Sequence, residues 1–255
     1  MSATAADPAT VVVIPVRMRA TRLPGKPLAD IHGTPMVLHV WRRAVAAGVG
    51  PVYVASGDAE ILEVVERAGG RTVPTDPDLP SGTDRVRAAV AALDPQRRIR
   101  RVVNLQGDLP TIDPAAVARV LEPLALPGTD MATLVAPTHD PFEREDPHVV
   151  KAVVAFDPAR PGFGRALYFT RAPAPWGEGP VWHHIGIYAF TRDALERFAA
   201  LPPSPLERRE RLEQLRALEH GLTIGVATVD SVPFGVDTPE DLRRARELLE
   251  GEPRP

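Results

Sequence analysis

The segment VVVIPVRMRATRLPGKPL, Val11 to Leu28, sends an apolar run into a loop with three arginines, one lysine and a Pro-Gly turn. Gly25 lets the backbone take positive φ and brings main-chain N–H groups close to an anion. Arg17, Arg22 and Lys26 add charge within the same loop. A phosphate-bearing ligand satisfies both features at once. Neither G-x-x-x-x-G-K-[ST] nor G-x-G-x-x-G is present, so the loop belongs to neither of those phosphate cradles. Two acidic candidates stand far away in sequence, Asp108 in QGD and Asp237 in GVDTPED. Hard carboxylate oxygens suit Mg²⁺, which takes one or two protein carboxylates beside substrate phosphates. Asp-Thr-Pro-Glu-Asp is also an ordinary helix start, so Asp237 read alone favours a cap over a metal.

These side chains need a frame. VVVIP, PVYVAS, RTVPT and RRVVNLQGD read as short buried strands. Between and after them PMVLHVWRRAVAAG, AEILEVVERAGG, SGTDRVRAAVAAL and PAAVARVLEPLA carry helical spacing with Pro, Ser/Thr or Gly boundaries. The alternation predicts a doubly wound, mostly parallel α/β sheet, with ligands outside the carboxyl ends of its strands. The most polar of the loops there, Arg17–Lys26, Ser81–Arg85 and Gln106–Asp108, are expected to converge on one crevice. From about Met131 the rhythm changes to strands with few helices between them. The exceptions are one amphipathic helix over Ser204–Gly221, with Leu206, Leu212, Leu215 and Leu218 on its buried stripe, and a closing helix capped by Asp237 or Thr238.

Composition narrows the function classes. The chain has 255 residues, 44% hydrophobic and 25% charged, enough for a substantial core. A formal net charge of -3 disfavours general nucleic-acid binding. No cysteine is present, which excludes disulfides, thiolate nucleophiles and Cys-type zinc sites. The N-terminus lacks a secretory signal and no apolar run reaches the roughly 20 residues of a membrane span, so a cytoplasmic protein without membrane association is expected. Of the 30 basic residues only Lys26 and Lys151 are lysine. A coding bias towards arginine accounts for such a split by itself, but the lysines that survive it are candidates for positions where a compact ammonium is needed and a planar guanidinium does not fit.

IPVRMRATRLPGKPL resembles the nucleotide-binding signature of sugar nucleotidyltransferases. With SGTDR, VNLQGD, MATL, ALYFTRAPAPW, HHIGIY, SPLERRERLEQLR and GVDTPEDL in order, the chain is similar to the 3-deoxy-manno-octulosonate (Kdo) cytidylyltransferases, from Val11 to Leu248. The resemblance implies a Rossmann-like sheet of the nucleotide-diphospho-sugar transferase type with a smaller β-rich sugar-binding and dimerisation lobe. It places one domain over 11–250 after a flexible 1–10, divided into nucleotide-binding (11–130), sugar-binding (131–235) and closing-helix (236–250) parts. The implied reaction joins CMP from CTP to an acid sugar for lipopolysaccharide synthesis, in a homodimer using Mg²⁺. Lys26 and Arg22 would hold the phosphates, with backbone from Arg17 to Ala20 along the nucleotide. Ser81, Gly82, Thr83 and Arg85 would surround the cytidine, Gln106 would read a base or ribose edge, and Asp108 and Asp237 would bind the metal. On this resemblance Lys26, Asp108 and Arg22 would form the catalytic set. Arg171 would take the sugar carboxylate, and His184, Tyr188, Glu213 and Gln214 the hydroxyls; of the adjacent histidines, which point to opposite faces of a strand, the family pattern selects His184.

Two departures stand out. The family reads Q-G-D-E-P where this chain has Leu109, and only Gly177–Trp182 separates APAPW from HHIGIY where the family carries a longer loop. Other readings left open are the same chemistry on an 8-amino-Kdo or sialic-acid-like sugar, and a non-catalytic nucleotide-binding protein.

Overall fold

The structure is a computed structural model that describes residues 9–19 and 22–251. Strand β1 (Thr10–Pro15) is buried along its whole length. A 3₁₀ turn at Lys26–Leu28 leads to a hairpin of β2 (Asp30–Ile31) and β3 (Thr34–Pro35). His32 and Gly33 both have positive φ at its tip, as a two-residue primed turn requires. There follow α1 (Met36–Ala46), β4 (Val52–Ser56), α2 (Ala59–Arg67), β5 (Arg71–Pro74), α3 (Gly82–Leu93), β6 (Arg101–Leu105) and α4 (Pro114–Arg119). After a 3₁₀ turn at Glu122–Ala125 come β7 (Met131–Thr138), α5 (Pro141–Glu145), β8 (Lys151–Phe156), β9 (Phe163–Thr170) and β10 (Val181–Thr191). The remainder is α6 (Arg192–Ala200), α7 (Pro205–Glu210), α8 (Gln214–Glu219), β11 (Ile224–Thr228) and α9 (Pro239–Leu248).

The chain divides into two compact units, one ending at Ala118 and resuming at Pro233, the other Arg119–Val232. In the first, β1 lies between β4 and β6, with β5 beyond β4, and these four strands pair in parallel; the small β2–β3 hairpin is antiparallel. The carboxyl ends of β1 and β6 are therefore neighbours, which delivers Arg17 and Asp108 to the same edge. α9 returns to this unit through an apolar cluster of Ile31, Met36, Val236, Leu242, Ala245 and Leu249. Each fully buried aliphatic side chain there contributes about 1.5–3 kcal/mol. That cluster fixes Val236, and with it the adjacent Asp237.

In the second unit β10, β7, β11, β9 and β8 pair in that order, and β8 pairs again with β10. That second pairing is confined to Trp182 with Ala152 and His183 with Lys151, so the strands meet at one corner through the start of β8. Only β11 and β7 are parallel.

Three expectations are corrected. The helix expected over Ser204–Gly221 is two short helices, α7 and α8, because Arg211 takes a left-handed conformation with φ 57°. The β-rich half also holds α6, capped by Thr191, whose side chain accepts from Ala194 N. PAAVARVLEPLA stops being α-helical at Arg119 and finishes as the 3₁₀ turn around Pro123.

Gly107, just past β6, is required by close approach. A β-carbon there would lie 2.2 Å from Val16 Cγ1 and 3.4 Å from Pro15 O. Gly107→Ala is therefore expected to lose about 1–3 kcal/mol through overpacking, seen as a lowered melting temperature. An unchanged melting temperature would contradict this tight junction of β1 and β6.

Candidate active site

Gly25 has φ 71° and caps the 3₁₀ turn that begins at Lys26. This left-handed bend aims the lysine across the end of the sheet. Lys26 Nζ donates to Asp108 Oδ2 at 2.9 Å, Asp237 Oδ1 at 3.0 Å and the Val236 carbonyl at 3.0 Å. All three ammonium donors are used. Arg22 meets the other oxygen of Asp237 at 2.9 Å. Burial opposes the charged amine, but Asp108 and Asp237 outweigh it and raise the Lys26 pKa. The backbone braces the same meeting point: Val236 N–H donates to the Asp108 carbonyl at 2.9 Å.

These groups line a cleft of about 310 Å³ that also receives Arg17, Ser81, Gly82, Arg85 and Gln106. The three polar loops thus converge as the strand-end argument required. Ser81 caps α3, accepting from Asp84 N at 3.1 Å. Arg85 is buried and donates to the Thr75 hydroxyl and the carbonyls of Asp76 and Pro77, so it holds the loop after β5 as part of the cleft wall. The Gln106 amide donates to Asn104 Oδ1 at 3.0 Å, which leaves its carbonyl as an acceptor for an exocyclic amine. Thr83 does not line the cleft; it is buried and accepts from Asn104. Ala20 lies outside the described residues. Leu109 is buried off the cleft, its Cδ2 3.6 Å from where a β-carbon on Gly235 would sit.

Two carboxylates already share one cation, the Lys26 ammonium. Among the described residues no group of three or more His, Cys, Asp or Glu could hold a metal unaided. A pair of hard carboxylates with phosphate oxygens and waters completing the shell fits the needs of a small divalent cation.

In the second unit Arg171 follows β9. Its Nε donates to the Glu210 carbonyl at 2.9 Å, its Nη1 to the Pro147 carbonyl at 2.8 Å, and its backbone N–H to Glu210 Oε2 at 3.0 Å. The Glu210 carbonyl is available because α7 ends there; a continuous helix would have consumed it. His183 and His184 do face opposite ways: His183 Nδ1 lies 3.4 Å from Glu143, while His184 Nε2 lies 3.1 Å from Thr133 Oγ1. The Thr133 hydroxyl has one hydrogen, and it meets the Ile187 carbonyl at 2.8 Å in the β10 bulge. His184 Nε2 is then the donor, and Nδ1 carries the lone pair, suited to a ligand hydroxyl. Phe169 and Tyr188 flank the His184 ring at 4.9 and 5.6 Å. Burial and the nearby Glu213 raise the Tyr188 phenol pKa, keeping it a neutral donor. Gln214 is buried and its Nε2 has no partner among the described residues, an orphaned donor that costs about 1–3 kcal/mol.

The sequence reading missed several supports. Asp58 accepts from Met18 N–H at 2.8 Å and so anchors the basic loop. The Val236 carbonyl and Glu210 were likewise invisible.

A cytidylyltransferase family model matches residues 11–224. The 3-deoxy-manno-octulosonate cytidylyltransferase of Rhodospirillum centenum is 63% identical over 97% of this chain and 96% of its own. That of Paramagnetospirillum magneticum is 60% identical over 94% and 97%. A solved CMP:2-keto-3-deoxy-manno-octonic acid synthetase, complexed with CTP, superposes with a TM-score of 0.87 at 38% identity, covering 96% of this chain and 99% of that one.

Burial, with a smaller effect from His183, lowers the His184 pKa to about 3. The unfolded imidazole, with a pKa of about 6.5, binds a proton that the folded one refuses. His184 therefore supports folding fully above about pH 6.5, and that support falls by about 1.4 kcal/mol per pH unit down to about pH 3. Denaturant titrations of His184→Phe should show a shallower loss of stability across that window than the parent chain. Identical slopes would contradict the burial of a neutral ring.

Proposed function

The chain belongs to the 3-deoxy-manno-octulosonate cytidylyltransferase family, and we propose that it transfers CMP from CTP to the anomeric hydroxyl of Kdo. The products are CMP-Kdo, for lipopolysaccharide synthesis, and pyrophosphate. The observation that carries this reading is the meeting of Lys26, Arg22, Asp108 and Asp237 around one cleft. Cations for a polyphosphate and paired carboxylates for a divalent ion are what phosphoryl-group chemistry needs, since positioning and charge stabilisation supply most of its catalysis.

The sugar oxygen forms a bond to the α-phosphorus, and the bond from that phosphorus to the β-phosphate oxygen breaks as pyrophosphate leaves. Lys26 and Arg22 offset charge on the phosphates, with Arg17 at the cleft wall. Ser81, Gly82 and Arg85 shape the nucleotide side, and the Gln106 carbonyl suits the exocyclic amine of cytosine. Asp108 and Asp237 would hold Mg²⁺, which when bound neutralises triphosphate charge. For Lys26 to serve phosphate, its ammonium must yield at least one aspartate to that ion. Arg171 takes the sugar carboxylate, and His184 Nδ1, Tyr188 and Gln214 meet its hydroxyls, with Glu213 beside Tyr188. No side chain is assigned as general base; the proton of the acidic anomeric hydroxyl passes to solvent.

The finer architecture is part of the same proposal: a Rossmann-like nucleotide-binding part, a sugar-binding part that also serves a homodimer, and a cytoplasmic setting.

Pyrophosphate release from CTP is expected only when Kdo and Mg²⁺ are both supplied. Asp108→Asn should lower kcat by at least about 100-fold with its circular dichroism spectrum unchanged. No turnover with Kdo by the parent chain would remove the reading; full turnover by the variant would remove Asp108 from it.

A further inference from the structure

Lys151, the second of the two lysines, has no part in the chemistry above. It opens β8, and its side chain is wholly buried, at 0% exposure. Among the described residues no carboxylate pairs with it. Its Nζ instead donates to three backbone carbonyls, Asp146 and Val149 at 2.7 Å and Arg171 at 2.8 Å. All three donors are used, and the acceptors converge on a point, a geometry that an ammonium meets and a planar guanidinium does not.

Those partners are not scattered. Asp146 and Val149 bound the turn that leads into β8, and the carbonyl of Pro147 between them accepts from Arg171 Nη1 at 2.8 Å. One turn therefore divides its carbonyls between two cations, and Lys151 grips the Arg171 main chain directly. Glu210 fastens Arg171 from the other side, through its carboxylate to the backbone N–H and its carbonyl to Nε. Arg171 is held by four hydrogen bonds, none of which places a carboxylate on its guanidinium. Its charge stays uncompensated by any acid in contact, and Nη2 has no partner among the described residues. A rigid guanidinium kept clear of protein carboxylates is prepared for a carboxylate from outside.

The geometry points to Lys151 as the positioning residue that sets Arg171 for recognition of the substrate carboxylate. This rests on the proposed role of Arg171. Loss of water on burial opposes the ammonium's charge even though three carbonyl oxygens accept from it, and the neighbouring Arg171 adds to that opposition, so Lys151 has a lowered pKa. A residue held at such cost, where a neutral side chain would fill the space, fits a task of placing charge and backbone together.

The test compares inhibition or Michaelis constants for Kdo with those for its carboxamide, which has the same hydroxyls but no negative charge. Arg171→Met should collapse the preference for the acid; if it does not, the role of Arg171 itself fails, whatever Lys151 does. With that control in hand, Lys151→Met and Lys151→Arg should each lose at least tenfold of the acid-over-amide preference while KM for CTP stays within twofold. A merely structural lysine would weaken acid and amide alike. A folded Lys151 variant that keeps the parent preference overturns the proposal. Failure of both variants to fold assigns Lys151 to stability alone and overturns it equally.

Discussion

One nitrogen holds the cleft of the first unit together. The Lys26 ammonium joins Asp108, Asp237 and the Val236 carbonyl, which lie 82, 211 and 210 residues from it along the chain. Two carboxylates that converge on one point repel each other unless a cation lies between them. Lys26 is that cation, with Arg22 reinforcing it on the outer oxygen of Asp237. The arrangement costs the lysine some hydration, since its side chain is only 16% exposed. Attraction to the two carboxylates outweighs that cost and raises its pKa.

Everything around the nitrogen serves to bring those groups within reach. Gly25 supplies the left-handed bend, Gly107 the close passage of β6 past β1, and the apolar face of α9 the return of Val236. Hydrophobic burial is non-directional, so it can dock α9 but cannot orient Asp237. The orientation comes from hydrogen bonds: Asp237 N–H to Asp241, Val236 N–H to the Asp108 carbonyl, and the capping box of Thr238 with Asp241. The choice between cap and metal ligand for the Asp-Thr-Pro-Glu-Asp segment dissolves here. Thr238 does the capping, which leaves the Asp237 carboxylate to the cleft.

Local signals made the first unit readable. An apolar run ended by proline became β1, Ser81 became the cap of α3, and the basic loop lies at a strand end beside Asp108. What sequence could not show was tertiary in origin. The break at Arg211 is not marked by glycine or proline, yet it frees the Glu210 carbonyl for Arg171. Family likeness puts Thr83 around the cytidine with Ser81 and Gly82, but one step around the helix turns it inward to Asn104. In the second unit the residues assigned to the sugar came from family likeness; no spacing rule would have picked His184 or Gln214 out of a strand and a charged helix. Lys151 was marked by composition alone, and its three carbonyl partners give that mark a physical reason.

The most direct test of a shared, cation-balanced site is calorimetric titration of CTP with and without Mg²⁺, on the parent chain and on Asp237→Asn. If Asp108 and Asp237 jointly receive the ion that accompanies the nucleotide, Mg²⁺ tightens CTP binding to the parent at least tenfold and has little effect on the variant. An equal response to Mg²⁺ in both proteins would place the metal elsewhere and leave the Lys26 cluster as a structural ion pair.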